Sequence, residues 1–424
     1  MLRQLLAAAA ELLPYLTELL WFLGTPIAWV WQLVRLIGFV VVLLPLFLPP
    51  AWQYLRSGSI QKGVRYGPSV RHALDIYVPV AGSEGGVGYT PLRCPVVLFV
   101  SGGAWIIGYR MWGFLLGLAL QRRGIMCVSV DYRNFPQSRI PDMVDDVADA
   151  CAWVHEHIAS YGGDPSNVSI VGQSAGAHLT ALLLLHLVGA TAPAPASAAA
   201  AATAVTAAAP GAAPCISAAA EAPAPSAAGA SRHEAAVRSG ALLPRRWIGI
   251  SGPYDMERIV PVLRKRGLHP ALMDALACGD LAACSPIALL AKGGGGEGGG
   301  GEGGHLLRHA VPRTATWPPL ALFHGTADRT VDWRHSADFA SALRAAGAPH
   351  VRERYFADKS HTDPILEDPL FSHADPLLED LVAMVLEGAA PSLAAEQLGA
   401  AEGAGPASVA GRAWLHAAKW INPF

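Results

Sequence analysis

The chain has 424 residues, long enough for two or three domains, but alanine- and glycine-rich stretches reduce the part that can build a core. Its 31 basic and 33 acidic residues leave a net charge of −2 with no long basic block, which argues against nucleic acid as a partner. The 6 cysteines, at 94, 127, 151, 215, 278 and 284, show no CxxC or zinc-type spacing, a usage that fits a reducing compartment better than a disulfide framework. Cys94, Cys127 and Cys151 fall in apolar periodic segments and read as buried thiols.

Residues 1–58 are expected to form a transmembrane anchor in contact with membrane lipid. Leu36 to Leu55 is a run of 20 residues without a charge, with Trp52, Tyr54 and Arg56 at its end. A bilayer core takes roughly 20 apolar residues in a helix, with aromatic and cationic residues at its boundary. Leu19 to Val34 is a shorter uncharged stretch, separated from the first by Arg35, so one span or a tight hairpin is predicted, kinked at Pro45. The region is too long for a cleaved signal peptide and lacks a small-x-small cleavage site. Arg56, Lys62, Arg65 and Arg71 follow it, and the positive-inside rule then turns the rest of the chain to the cytosol.

From about residue 63 the pattern alternates β-rich runs with helical periodicity, as a mostly parallel sheet flanked by helices requires. Strands are predicted at Ala73 to Val78, Pro95 to Val100, Ile125 to Val130, Val168 to Val171, Trp247 to Ile250, Leu320 to Phe323 and Arg352 to Phe356. Helices are predicted near Pro141 to Ser160, His178 to Leu187 and His335 to Ala346. One sheet-and-helix domain therefore covers 59–388. Low-complexity insertions at 189–238 and 293–304 cannot bury enough side-chain surface to offset chain entropy, and are expected to be disordered loops. Residues 389–424 form an Ala-rich tail ending in Ile421-Asn422-Pro423-Phe424, which has no cysteine four from its end and so is not itself a prenylation acceptor.

The chemistry centres on Gly172-Gln173-Ser174-Ala175-Gly176. A serine hydroxyl between a strand and a helix, on a sharp turn eased by flanking glycines, projects above the sheet as a nucleophile. Acid and histidine should follow in that order. Asp328 comes after the strand ending at Phe323, with Asp332 its nearest rival; Asp358 and Asp363 lie too close to the histidine loop. His361 comes after the strand ending at Phe356, where the general base belongs. Ser101-Gly102-Gly103-Ala104 directly follows another strand, and the amides of Gly102, Gly103, Ala104 and Ala175, with Gln173 beside them, are the expected oxyanion and substrate contacts.

Other features read as structural. His324 precedes the acid and reads as a turn or core residue, and His178 as packing on the nucleophile helix. His155 and His157 are two apart on a helix and point away from each other, so they are no metal pair. Asn167-Val168-Ser169 matches a glycosylation acceptor but enters a buried strand. No nucleotide-binding loop or HExxH motif occurs, and no cofactor or metal is expected.

Several stretches together resemble the prenylcysteine methylesterases of the hormone-sensitive-lipase-like branch of the α/β-hydrolases. They are Tyr66-Gly67-Pro68 with Leu74-Asp75-Ile76-Tyr77, the run Gly102 to Tyr109, Asp131-Tyr132-Arg133-Asn134-Phe135-Pro136, Gly172 to His178, Phe323-His324-Gly325-Thr326 and Ser360-His361-Thr362-Asp363. The resemblance covers residues 60 to 188 and 245 to 385 apart from the insertions, and includes the N-terminal apolar segment. Ser-Gly-Gly-Ala stands where the branch usually carries His-Gly-Gly-Gly. The resemblance implies the α/β-hydrolase fold, and a farnesyl- or geranylgeranyl-cysteine methyl ester, protein-bound or free, as substrate. It also implies an endoplasmic reticulum or Golgi membrane as location. Trp105, Met111, Trp112 and Met256 to Leu290 are candidates for the prenyl pocket. The alternatives are a broader carboxylesterase of the same branch and a binding protein on the same scaffold. The gibberellin receptors resemble the branch but lack the catalytic histidine, so His361 argues against the second.

Overall fold

Apolar runs broken by glycine and polar turns assemble here into one twisted sheet. A computed structural model describes residues 16–22, 26–79, 93–190, 242–291, 311–312, 315–366, 369–370 and 375–387. The strands are β1 (Ile60–Arg65), β2 (Ala73–Tyr77), β3 (Cys94–Val100), β4 (Met126–Val130), β5 (Gly163–Gln173), β6 (Arg246–Ile250), β7 (Leu320–Gly325) and β8 (Val351–Phe356). They lie in the order β1-β2-β4-β3-β5-β6-β7-β8, with β1–β2 and β2–β4 antiparallel and every other pairing parallel.

Central parallel strands are covered on both faces, which is why they read as unbroken apolar runs. All of β3 is buried, and its side chains alternate: Val96, Leu98 and Val100 enter one core, Val97 and Phe99 the other. The first core is closed by α4 (Ile140–His157), α5 (Ala175–Ala190) and α6 (Met256–Lys265), the second by α3 (Phe114–Arg122) and α10 (Pro376–Leu386). Shorter helices α7 (Leu272–Leu276) and α8 (Pro286–Ala291) follow α6, and α9 (Arg334–Ala345) lies between β7 and β8. Local chemistry sets the ends: Asp375 accepts from the N–H groups of Leu377 and Leu378 ahead of Pro376, a capped start for α10.

The predicted strands and helices are all present, with β5 extended back to Gly163. The edge strand β1 went unread because Gln61, Lys62 and Gly63 give it no apolar alternation. Gly189 and Ala190 close α5, so the first insertion starts later than expected. The rest of 189–238, together with 293–304 and 389–424, lies outside the described residues.

The N-terminal expectation needs correction. Among the described residues no helix is long and apolar enough to cross a membrane. Instead α1 (Leu16–Phe22) and α2 (Pro26–Arg56) dock on the sheet domain. Phe22 meets Phe135 edge-on at 5.1 Å, and Glu18 pairs with Arg139 at 2.9 Å. Helix α2 buries Phe39 and Leu43 against Leu366, sets Phe47 against Phe114 with the rings tilted at 6.0 Å, and ends with the Tyr54 hydroxyl donating to Asp75 at 2.7 Å. One face of α2 is thus committed to protein contacts. Pro45, Pro49 and Pro50 all lie inside it, and the predicted break between two apolar stretches is absent beyond Pro26. Arg71, expected in a cationic flank, is buried in a salt bridge with Asp131 at 3.0 Å.

Candidate active site

The turn at Ser174 shows why the sequence there is so restricted. Ser174 has φ 53°, a left-handed conformation that costs a side-chain-bearing residue and is held by its surroundings. Its N–H donates to the Ile250 carbonyl at 2.8 Å, tying the turn to the end of β6. A Cβ on Gly172 would lie 2.4 Å from Thr180 Oγ1, and one on Gly176 only 2.0 Å from the Val100 carbonyl oxygen. Helix α5 can therefore start against β3 only with glycine at both places. The hydroxyl is left at the C-terminal end of the parallel strands, where open α/β sheets place their chemistry.

The two partners arrive from loops after neighbouring strands. His361 Nε2 is 2.8 Å from Ser174 Oγ, and its Nδ1 is 2.6 Å from Asp328 Oδ2. All three side chains are nearly removed from solvent. Asp328 Oδ1 accepts from the N–H groups of Thr330 and Val331 at 2.8 and 2.9 Å. Burial alone would raise the Asp328 pKa, but the charge of His361 and hydrogen bonds from His324 and His361 outweigh it. The carboxyl is held well below its ordinary range. The ionised Asp328 accepts a hydrogen bond from His361 Nδ1–H, which leaves Nε2 to accept from the serine hydroxyl. Asp332 instead faces its neighbour Arg334, Asp358 is exposed, and Asp363 accepts from the Ser360 N–H at 2.6 Å. The carboxylate that meets His361 Nδ1 is that of Asp328.

His324 does more than fill the core. Fully buried, it accepts from Ser336 at Nδ1 (2.7 Å) and donates from Nε2 to the Val331 carbonyl at 2.9 Å, with Asp328 Oδ2 also within 3.2 Å. Its place one strand-end away from the acid was readable; its orientation was not.

The expected oxyanion loop lies beside the nucleophile. A Cβ on Gly102 would stand 2.7 Å from Ser174 Cβ and 2.5 Å from Gln173 Oε1. Gly103, Ala104 and Trp105 all have positive φ, so the backbone curls over the turn. The N–H groups of Gly103, Ala104 and Ala175 have no backbone partner among the described residues, the state an oxyanion donor needs. Buried groups from several elements fix this loop. Arg71 and Asn134 both donate to the Gly108 carbonyl, and Tyr132 donates to the Ser101 carbonyl at 3.2 Å. Behind them Arg110 bridges Asp75 and Asp131 at 2.9 and 3.1 Å. In the sequence Asp75 and Asp131 stand only within motifs, because buried ion pairs between distant segments leave no local pattern.

Some expected roles change. The Gln173 amide nitrogen donates to the His361 carbonyl at 3.2 Å, so this side chain holds the histidine loop. Trp105 is buried and donates from Nε1 to His178 Nδ1 at 3.2 Å, while His178 Nε2 donates to the Cys284 carbonyl at 2.7 Å. Neither is free to line a pocket, and much of 256–290 is likewise core, including Met256, Leu272 and Leu276. Trp112 remains exposed. His157 stacks on Trp153 at 4.7 Å and makes no pair with His155.

A BD-FAE family model matches residues 74–190. A relative from Oryza sativa subsp. japonica, named probable isoprenylcysteine alpha-carbonyl methylesterase, is 33% identical and covers 83% of this chain and 70% of its own. The isoprenylcysteine alpha-carbonyl methylesterase of Arabidopsis thaliana is 32% identical, with coverage of 83% and 68%. Among solved structures, a truncated carbohydrate esterase from gut microbiota is 18% identical with a TM-score of 0.49, covering 78% of this chain and 96% of its own.

Proposed function

The chain belongs to the isoprenylcysteine alpha-carbonyl methylesterase family and is a carboxylic ester hydrolase, and we propose that it hydrolyses the methyl ester of a prenylated C-terminal cysteine, protein-bound or free. The observation that carries the chemistry is the hydrogen-bonded relay from Ser174 through His361 to Asp328, at 2.8 and 2.6 Å. That relay also sets aside the reading as a binding protein on a hydrolase scaffold. The choice of ester rests on the named relatives.

In this reaction Ser174 Oγ attacks the ester carbonyl as His361 Nε2 takes its proton. Asp328 stabilises the imidazolium without taking a proton itself. The N–H groups at Gly103, Ala104 and Ala175 receive the developing oxyanion, each such donor being worth about 3 kcal/mol of barrier. His361 returns its proton to the departing methanol. A water, deprotonated in turn by His361, then attacks the acyl-enzyme and frees Ser174 and the prenylcysteine carboxylate. We place the reaction on the cytosolic face of the endoplasmic reticulum or Golgi. The exposed cations Arg56, at the end of α2, and Lys62 and Arg65, on the following edge strand β1, support this, because anionic lipid is on that side.

The test compares farnesylcysteine methyl ester with a short-chain acyl ester such as p-nitrophenyl acetate. Faster turnover of the prenylated ester (by kcat/KM), abolished by Ser174→Ala, is the expected result. Equal rates, or a preference for the short ester, would reduce the proposal to a general carboxylesterase.

A further inference from the structure

Apolar side chains on α2 do not all face the protein. Ile37, Val41, Leu44 and Leu48 are exposed between Trp31 at one end and Trp52 at the other, each around half or more accessible. Spaced three or four residues apart, they make a single stripe roughly 30 Å long on the face opposite Phe39, Leu43 and Tyr54. Every other large hydrophobic residue exposed among the described residues lies close to these in sequence or at one further place, Ile107 and Trp112. That place adjoins the helix, because Phe114, two residues beyond Trp112, packs on both Phe47 and Tyr54. It is also the continuation of the oxyanion loop, with the Trp112 ring N–H donating to the Ile107 carbonyl at 2.8 Å. Two exposed apolar places therefore flank the seam between α2 and the sheet domain: the outer stripe of the helix, and Ile107 with Trp112 at the lip of the active site, beside Phe114 on which the inner face of α2 rests.

We propose that α2 lies in the plane of a phospholipid surface, with the Trp31–Trp52 stripe among the acyl chains and Ile107 and Trp112 dipping in at the active-site lip. Resting on the ester assignment above, this lets a lipid-anchored methyl ester reach Ser174 while its prenyl chain stays in the bilayer. Three features favour a lipid surface over a crossing helix or a protein partner. The inner face is pinned, since Tyr54 is bonded to Asp75, which is itself paired with buried Arg110. Pro45, Pro49 and Pro50 have no N–H to offer the carbonyls of Val41, Pro45 and Leu46, which water can satisfy at the headgroup level but hydrocarbon cannot. Finally, the helix has no acidic residue; Arg56 sits over the Trp52 ring at 4.4 Å, with exposed Lys62 beyond, the cationic and aromatic edge of an interfacial helix.

The test uses the full chain and sucrose-loaded phosphatidylcholine vesicles with about 20% phosphatidylserine. Wild type should co-sediment, and bound protein should pass to a second vesicle population added in excess. The variant Ile37→Gln/Val41→Gln/Leu44→Gln/Leu48→Gln should lose at least about tenfold in partitioning and in turnover of vesicle-borne farnesylcysteine methyl ester. Its rates on p-nitrophenyl acetate and on the prenylated ester in detergent micelles should match wild type, which also reports that it has folded. Unchanged vesicle binding by the variant overturns the proposal, as does wild-type protein that never exchanges between vesicles, the behaviour of a spanning helix. Light scattering gives the remaining alternative: a wild-type dimer that the variant splits, with neither binding vesicles, would assign the face to a second copy. Failure of wild type on the prenylated ester in micelles, with vesicle binding intact, would sink the ester assignment and leave the surface standing.

Discussion

His324 Nε2 lies 3.2 Å from Asp328 Oδ2. The same oxygen accepts from His361 at 2.6 Å, and Oδ1 takes two backbone N–H groups, so the carboxylate is bonded on every side and cannot rotate away from the base. A hydrogen bond to a charged group contributes about 1.5–3 kcal/mol. If only part of that is felt in the transition state, His324→Gln lowers kcat roughly tenfold with little change in KM. An unchanged kcat in steady-state kinetics on either ester would reduce His324 to packing.

The acid itself carries more. Asp328→Asn leaves the shape of the site but favours the wrong His361 tautomer, and kcat should drop by about 10⁴. Asp332→Asn removes only a surface pairing with Arg334, and should leave kcat within about twofold because exposed ion pairs contribute little. The two variants, assayed side by side, decide which aspartate the sequence order selects.

That order was legible because each functional residue sits just beyond an apolar run. Val168 to Val171, Leu320 to Phe323 and Arg352 to Phe356 were each readable as strands, and parallel strands bring their C-terminal ends together. That geometry, with the Gly172–Gly176 motif and the order acid then histidine, points to Ser174, Asp328 and His361, with Asp332 as the rival acid after the same strand. What holds them cannot be read that way. Arg71 with Asp75, Arg110 and Asp131 come from three separate segments, and their burial as a charge cluster depends on the whole sheet. The N-terminal helix was misread for a related reason. Its apolar residues occupy both faces, and hydropathy cannot tell a face that meets protein from one that does not.

Gly102 tests the oxyanion loop. A methyl group there would meet Ser174 Cβ and Gln173 Oε1 at 2.7 and 2.5 Å, and the loop has to retreat because the turn is fixed by Ile250. Losing the alignment of one donor typically costs about 10²–10³ in kcat. Gly102→Ala should show that loss, together with a matching loss of affinity for a trifluoromethyl ketone that mimics the tetrahedral state. Equal binding of the ketone by both proteins would remove Gly102 from the oxyanion site.

His178 links the oxyanion loop to the segment before α8, through Trp105 on one side and the Cys284 carbonyl on the other. Accepting from Trp105 requires a neutral ring, and burial, only partly offset by the Cys284 carbonyl, lowers its pKa from 6.5 to about 4. Between those values the unfolded chain binds a proton that the folded one refuses. Stability from this residue is therefore complete above pH 6.5 and falls as pH drops toward 4, by about 1.4 kcal/mol per pH unit at most. His335, lowered to about 4 chiefly by burial, adds a second proton over the same window. In His178→Gln the amide still offers one acceptor and one donor but does not titrate. Urea denaturation between pH 4.5 and 7 should then show a flatter loss of stability than wild type, by up to one proton, with His335 supplying what remains. Parallel curves for the two proteins would mean that His178 is already protonated in the fold, and that the Trp105 contact forms in some other way.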